Sequence, residues 1–199
     1  MSLTRVAYVL AVGLVLAGLV HIGSLLGVPR FATQGPFERL AELGPEWRFI
    51  ALADEGDAAN LLPFRDPAFV TAACRYDLTD GPIAVEAVLP STYGAISVHN
   101  RTGQPFYALT DRAAADGRVR LTILAQDDVA AAEQEDPAEE RPKIRIASPT
   151  MTGFVLVRLF VAGESARPAM RDLAAAATCA KTTASPPPSS EADPAPVSP

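Results

Sequence analysis

The sequence predicts a mainly β domain, a β-sandwich or open barrel of about eight short strands, with an N-terminal transmembrane helix and a C-terminal helix. Three observations carry this. Val6–Val28 is an uncharged run of 23 residues bracketed by Arg5 and by Pro29-Arg30, enough for the ~20 apolar residues that cross a bilayer. Beyond it, short apolar or alternating stretches recur between turn signals, without helices interleaved as in an α/β chain. One helical pattern, Arg167–Ala177, precedes a tail of Pro, Ser and Ala.

The N-terminal run exceeds a signal-peptide core of roughly 7–15 residues, and Leu26–Phe31 contains no Ala-x-Ala cleavage site. No cysteine follows it as a lipid acceptor. Residues 1–30 are therefore read as a retained anchor, 31–180 as the domain and 181–199 as a tail. That tail has too little apolar surface to offset the entropy of ordering, which predicts disorder. Charge does not orient the anchor, because Arg5 precedes it while Arg30 and Arg39 follow.

Within the body, Phe37–Leu43 has a modest apolar helical face and stops at Gly44-Pro45. Trp47–Leu52 begins the strands, and Asp54–Asn60 reads as an acidic loop. Phe69–Leu78 is the clearest strand: Val70, Ala72, Cys74, Tyr76 and Leu78 share one face, Thr71, Ala73, Arg75 and Asp77 the other. Thr79-Asp80-Gly81-Pro82 turns the chain into Ile83–Leu89. Gly94–Asn100 and Gln104–Leu109 flank a four-residue hairpin loop, which pairs His99 with Gln104 and Ser97 with Phe106. Arg118–Leu124 and Lys143–Ala147 alternate, and Phe154–Val161 is apolar on both faces apart from Arg158. Pro168 fits the first turn of the final helix, whose inward residues are Met170, Leu173, Ala174 and Ala177. An acidic stretch from Asp127 to Glu140 reads as a short surface helix and a solvated loop.

A net charge of −6 excludes general nucleic-acid binding, which needs a basic footprint. Arginine outnumbers lysine 15 to 2, a usage associated with GC-rich bacterial genomes. There is no GxGxxG, phosphate-binding GK[ST], HExxH or EF-hand loop. No cofactor or metal is expected. The two cysteines, Cys74 and Cys179, form an even count that in an exported domain favours a disulfide. Cys179 is placed at the end of the last helix. That expected pairing predicts a periplasmic domain behind a single pass through a bacterial inner membrane.

Several segments together resemble a known family. They are His21-Ile22, Val28-Pro29-Arg30-Phe31-Ala32, Trp47-Arg48-Phe49 and Asp66-Pro67-Ala68-Phe69, then Ala73–Leu78, Ser97–Gly103, Thr110-Asp111-Arg112 and Gly153–Arg158. This pattern resembles the short membrane-anchored members of the bacterial domain-of-unknown-function family 1254. The resemblance implies a β-rich exported domain behind one helix, and no reaction. The Asp127–Glu140 insert and the Pro-rich tail depart from it.

Candidate sites remain few. Gly13, Ala17, His21, Ser24 and Gly27 share an arc of ~120° on a helical wheel, a surface where another helix can approach closely. This face predicts self-association or a partner membrane protein. His99 and Ser97 should share a strand face, but the assumed register leaves Asp111 several rungs away, against a hydrolytic triad. Arg118, Arg120, Lys143 and Arg145 could form a basic face. Arg158, set among apolar neighbours, is expected to be buried and paired with Asp77 or Asp111. The leading expectation is a non-enzymatic subunit or binding module of a cell-envelope complex. The alternative is an enzyme or small-ligand binder with Arg158 or His99 lining a cleft between two sheets.

Overall fold

The computed structural model describes residues 2–31, 35–52, 66–114, 116–129 and 144–182. The predicted Asp54–Asn60 loop, most of the acidic insert, Lys143 and the tail beyond Thr182 lie outside them. Helix α1, Leu3–Phe31, is followed by a short helix α2, Pro36–Leu43. Nine strands follow among the described residues: β1 Ile50–Ala51, β2 Phe69–Asp77, β3 Ile83–Val88, β4 Gly94–Asn100, β5 Pro105–Thr110, β6 Arg118–Ala125, β7 Ile144–Ser148, β8 Thr152–Phe160 and β9 Thr178–Lys181. Helix α3, Arg167–Ala175, precedes the last strand.

The strands form two sheets, ordered β1-β2-β8-β4-β5 and β7-β6-β3-β9, with no closed barrel. Every pairing is antiparallel except β6 with β7. The inner faces supply the core. Val70, Ala72, Cys74 and Tyr76 of β2 lie over Ile83 and Val85 of β3 and Leu121 and Ile123 of β6, all within one cluster. Fully burying each valine, leucine or isoleucine among them contributes roughly 1.5–3 kcal/mol. Ala174 and Ala177 join this core, with Met170 and Leu173 of α3 packed against it.

Three expectations about the elements change. The strand predicted over Trp47–Leu52 shrinks to two residues, because Trp47 adopts a positive φ of 56° that breaks extended geometry. Cys179 lies on β9 rather than at a helix end. The helix stops at Ala175, and the chain then pairs with β3, setting Cys179 opposite Val85. The hairpin register also differs: a bulge between Val98 and His99 sets His99 opposite Pro105 and Ser97 opposite Ala108.

Cys74 and Cys179 are bonded, with Cα atoms 6.6 Å apart. The bond ties the larger sheet to the edge of the smaller one. Leu3–Val28 is long and apolar enough to cross a membrane, with a mean hydropathy of 2.4, and none of it is buried against the domain.

Candidate functional site

Both faces of the larger sheet are occupied, and the outer one carries the site. Alternation along β2 and β8 turns Phe69, Thr71, Ala73 and Arg75 outward, opposite Phe160, Arg158, Leu156 and Phe154. On the other side of β8, Ser97 and His99 of β4 stand opposite Leu156 and Phe154. Helix α2 crosses one end of this face, burying Phe37 and Leu40 against Ala73, Phe154 and Leu52. Pro36 starts the helix, where its missing N–H costs nothing.

Charged side chains fasten α2 down. Arg75 donates from Nη1 to Glu46 Oε1 at 3.0 Å and from Nη2 to the Gly44 carbonyl at 3.1 Å. Arg101 donates from Nε and Nη2 to Glu38 Oε1, at 2.9 and 2.6 Å. Those hydrogen bonds hold the Glu38 carboxyl below the usual carboxylate range. Both guanidinium groups lie over the Phe37 ring, Arg75 Cζ 5.1 Å and Arg101 Cζ 5.4 Å from its centroid.

Between α2 and the sheet runs a cleft of about 440 Å³, within the range that small-molecule ligands fill. Pro36, Leu40, Leu52, Phe69, Phe154 and Leu156 give it apolar walls, and Thr71, His99 and Arg158 add polar groups. Thr102, Gly103 and Asp66 complete its rim.

The His99 ring stacks on Phe154, with centroids 4.9 Å apart and planes within 6°. Its Nδ1 lies 3.0 Å from the Gly103 carbonyl and its Nε2 2.9 Å from Ser97 Oγ. A carbonyl only accepts, so Nδ1 carries the proton and the neutral ring's Nε2 accepts from the Ser97 hydroxyl. Burial pushes the His99 pKa down, and the Arg158 charge adds to this against the raising effect of the Gly103 carbonyl. Both ring nitrogens are thus engaged inside the protein. Ser97 is only 7% exposed and does not line the cleft. The pair therefore acts as a strut that holds the ring flat on Phe154.

This geometry sets a pH dependence. A pKa lowered on folding means the native state favours the neutral ring. The resulting stability is present above the ordinary value of 6.5 and declines as pH falls below it. Urea titrations of the full chain should show that decline, and His99→Gln should flatten it. Ser97→Ala should cost about 1–2 kcal/mol by stranding Nε2. A wild-type slope unchanged in His99→Gln would mean that another group titrates.

The two residues proposed from sequence to line a cleft, His99 and Arg158, do share one. It lies on the outer face of a sheet, however, not between the sheets, where large side chains fill the core. Arg158 is exposed rather than buried, since its alternate position on β8 faces outward beyond α2. Neither expected partner reaches it. Asp77 accepts bonds from Thr79, and Asp111 opens a short 3-10 turn. Phe154 and Leu156, the centre of the floor, escaped sequence reading because a bilaterally apolar strand does not reveal what covers either face.

The remaining candidates are dispersed. Gly13, Ala17, His21 and Ser24 of α1 are exposed and Gly27 is half-buried, with Ser24 Oγ donating to the Val20 carbonyl at 2.8 Å. Arg118, Arg120 and Arg145 share the outer face of the smaller sheet, and Arg120 stands opposite Glu86. Among the described residues no His, Cys, Asp and Glu cluster could hold a metal ion.

The domain behind the apolar helix is thus a two-sheet β fold with a cleft on its outer face. The chain belongs to DUF1254, a family of proteins of unknown function, whose model matches residues 66–181. Among solved structures it is similar to the VPA0106 protein from Vibrio parahaemolyticus, with a TM-score of 0.53 at 10% identity. That match covers 78% of this chain and 37% of the Vibrio chain, so this chain spans well under half of that relative's length. An uncharacterised protein from Burkholderia cenocepacia is more distant, with a TM-score of 0.39 at 15% identity over 57% of this chain and 32% of the other. No curated protein matches the chain.

Proposed function

We propose that this chain is an exported binding module of the cell envelope, held on a bacterial inner membrane by α1 with its domain in the periplasm. Its site is the cleft under α2, which takes a small ligand with an apolar body. The cleft itself carries this reading: apolar walls and a few convergent polar groups are what a ligand site needs. The disulfide supports an oxidising compartment. A second reading, association through Gly13, Ala17, His21, Ser24 and Gly27, draws on a helix whose surface the domain leaves uncovered.

Native mass spectrometry of the full chain extracted from its own membrane tests the first reading. The wild type should retain a small adduct, and Leu156→Trp, which fills the cleft floor, should lose it. An adduct equally present in both would place the ligand elsewhere. A wild type without one would end the binding proposal. Alkylation after denaturation should modify Cys74 and Cys179 only once reductant is added; thiols reactive without it would move the domain to the cytoplasm.

A further inference from the structure

We propose that the ligand is a single acyl chain ending in a carboxylate or phosphate, drawn from the bilayer that holds α1. This deepens the binding reading and rests on it.

The first observation is reach. Helix α1 ends at Phe31, and α2 begins at Pro36, itself a wall of the cleft. Five residues span at most about 18 Å when fully extended. The headgroup layer adds roughly 5–8 Å to each side of the hydrocarbon. Pro36 therefore lies within about 18 Å of the end of the helix, whatever path the chain takes, which keeps the cleft in the neighbourhood of the membrane surface. An amphiphile dissolved in that leaflet is presented to the cleft at a high local concentration, which a dilute solute is not.

The second observation is the lining. Leu40, Leu52 and Phe69 stand around a floor of Leu156, Phe154 and the His99 ring stacked on it. A cleft of about 440 Å³ suits one acyl chain and is small for a two-chain lipid. Its contribution is apolar contact along a chain, for which directional partners are unnecessary.

The third is charge. Arg158 lines the cleft and makes no hydrogen bond or ion pair among the described residues. The guanidinium fork matches a carboxylate or phosphate with two parallel hydrogen bonds. The other charged group at the rim, Asp66, has Oδ1 committed to the Ala68 amide at 2.9 Å. Neutral His99 offers no competing positive charge, so the acidic end is directed to Arg158.

The test uses the full chain in phosphatidylcholine nanodiscs, irradiated with three diazirine probes of equal chain length: a fatty acid, a lysophosphatidic acid and a fatty alcohol. Acidic probes should label peptides from β2 or β8, and the alcohol about tenfold less, the loss expected for a missing charge-assisted bond. Arg158→Gln should bring the acidic probes down to the level of the alcohol, and Leu156→Trp should block all three. Labelling by only one acidic probe would still support the proposal and would identify the headgroup. Equal labelling by alcohol and acid, or labelling confined to α1, would overturn it. Should the membrane-extracted protein carry a Leu156-dependent adduct that contains no acyl chain, this ligand class falls while the binding reading stands. Absence of any adduct removes both.

Discussion

Replacing both cysteines, as Cys74→Ala with Cys179→Ala, should lower the stability of the domain by about 4–5 kcal/mol. The bond spans 105 residues, and closing a loop of that size removes this much free energy from the unfolded ensemble in the chain-entropy model. For a domain of about 150 residues the loss corresponds to a fall in melting temperature of roughly 10–20 °C. The native structure adds a reason for the effect to be local as well as global. Cys74 sits on the inner face of β2 in the larger sheet, and Cys179 on β9, a four-residue strand at the edge of the smaller one. Apart from that bond, β9 is held by its ladder to β3 and by a few surface contacts. These include Lys181 Nζ on Asp80 at 2.6 Å and over the Trp47 ring at 4.0 Å. Hydrogen exchange should accordingly rise first in β9 and α3, with β2, β8 and β4 protected longest. A double variant within about 1 kcal/mol of wild type would show that the edge strand is held by its ladder alone.

How much of this was legible depended on whether a segment's own sequence carried its surroundings. β2 did, because Val70, Ala72, Cys74, Tyr76 and Leu78 alternate with polar or small residues, and all five are buried. β9 did not: four residues after a helix carry no period, and only pairing with β3 makes them a strand. Arg158 exposes the limit of reading burial from neighbours. Along the outward row of β8, Phe154 is buried beneath α2, Leu156 half-buried and Arg158 exposed. Phe154 and Leu156 mark where α2 covers the sheet, and the arginine lies beyond that helix while still lining the cleft. The site was half legible for the same reason. Arg158 stood out as a charge in an apolar strand, and His99 as the only histidine in the sequence beyond the N-terminal span. Their shared cleft depends on the order β2-β8-β4 and on a helix folding back over it, neither encoded at short range. The bulge at His99 was equally invisible, and it set the hairpin register.

The second large effect should come from the smallest side chain in the sheet. Gly153→Ala is expected to cost about 3 kcal/mol or more, the upper part of the range for overpacking a core. Gly153 is buried in β8 between Tyr76 of β2 and Asn100 of β4. The Tyr76 ring crosses the space where a side chain would start, so an added Cβ would fall 2.6 Å from Tyr76 Cζ and against the Tyr76 hydroxyl and the His99 carbonyl. The tyrosine cannot simply swing aside. Its hydroxyl donates to the His99 carbonyl at 3.3 Å and shares a hydrogen bond with Ser148 Oγ at 3.1 Å, and burial pushes its pKa up to about 12. Relief must therefore come from shifting β4 at the bulge that aims His99 at the cleft. The alanine should disturb the site as well as the core, reducing acyl-probe labelling in whatever fraction remains folded. A double-mutant cycle with Tyr76→Phe separates the causes. Removing the hydroxyl relieves part of the clash, so the two losses should sum to more than the double variant suffers. Strict additivity would mean that the cost arises from the His99 carbonyl and the strand backbone, with the tyrosine uninvolved.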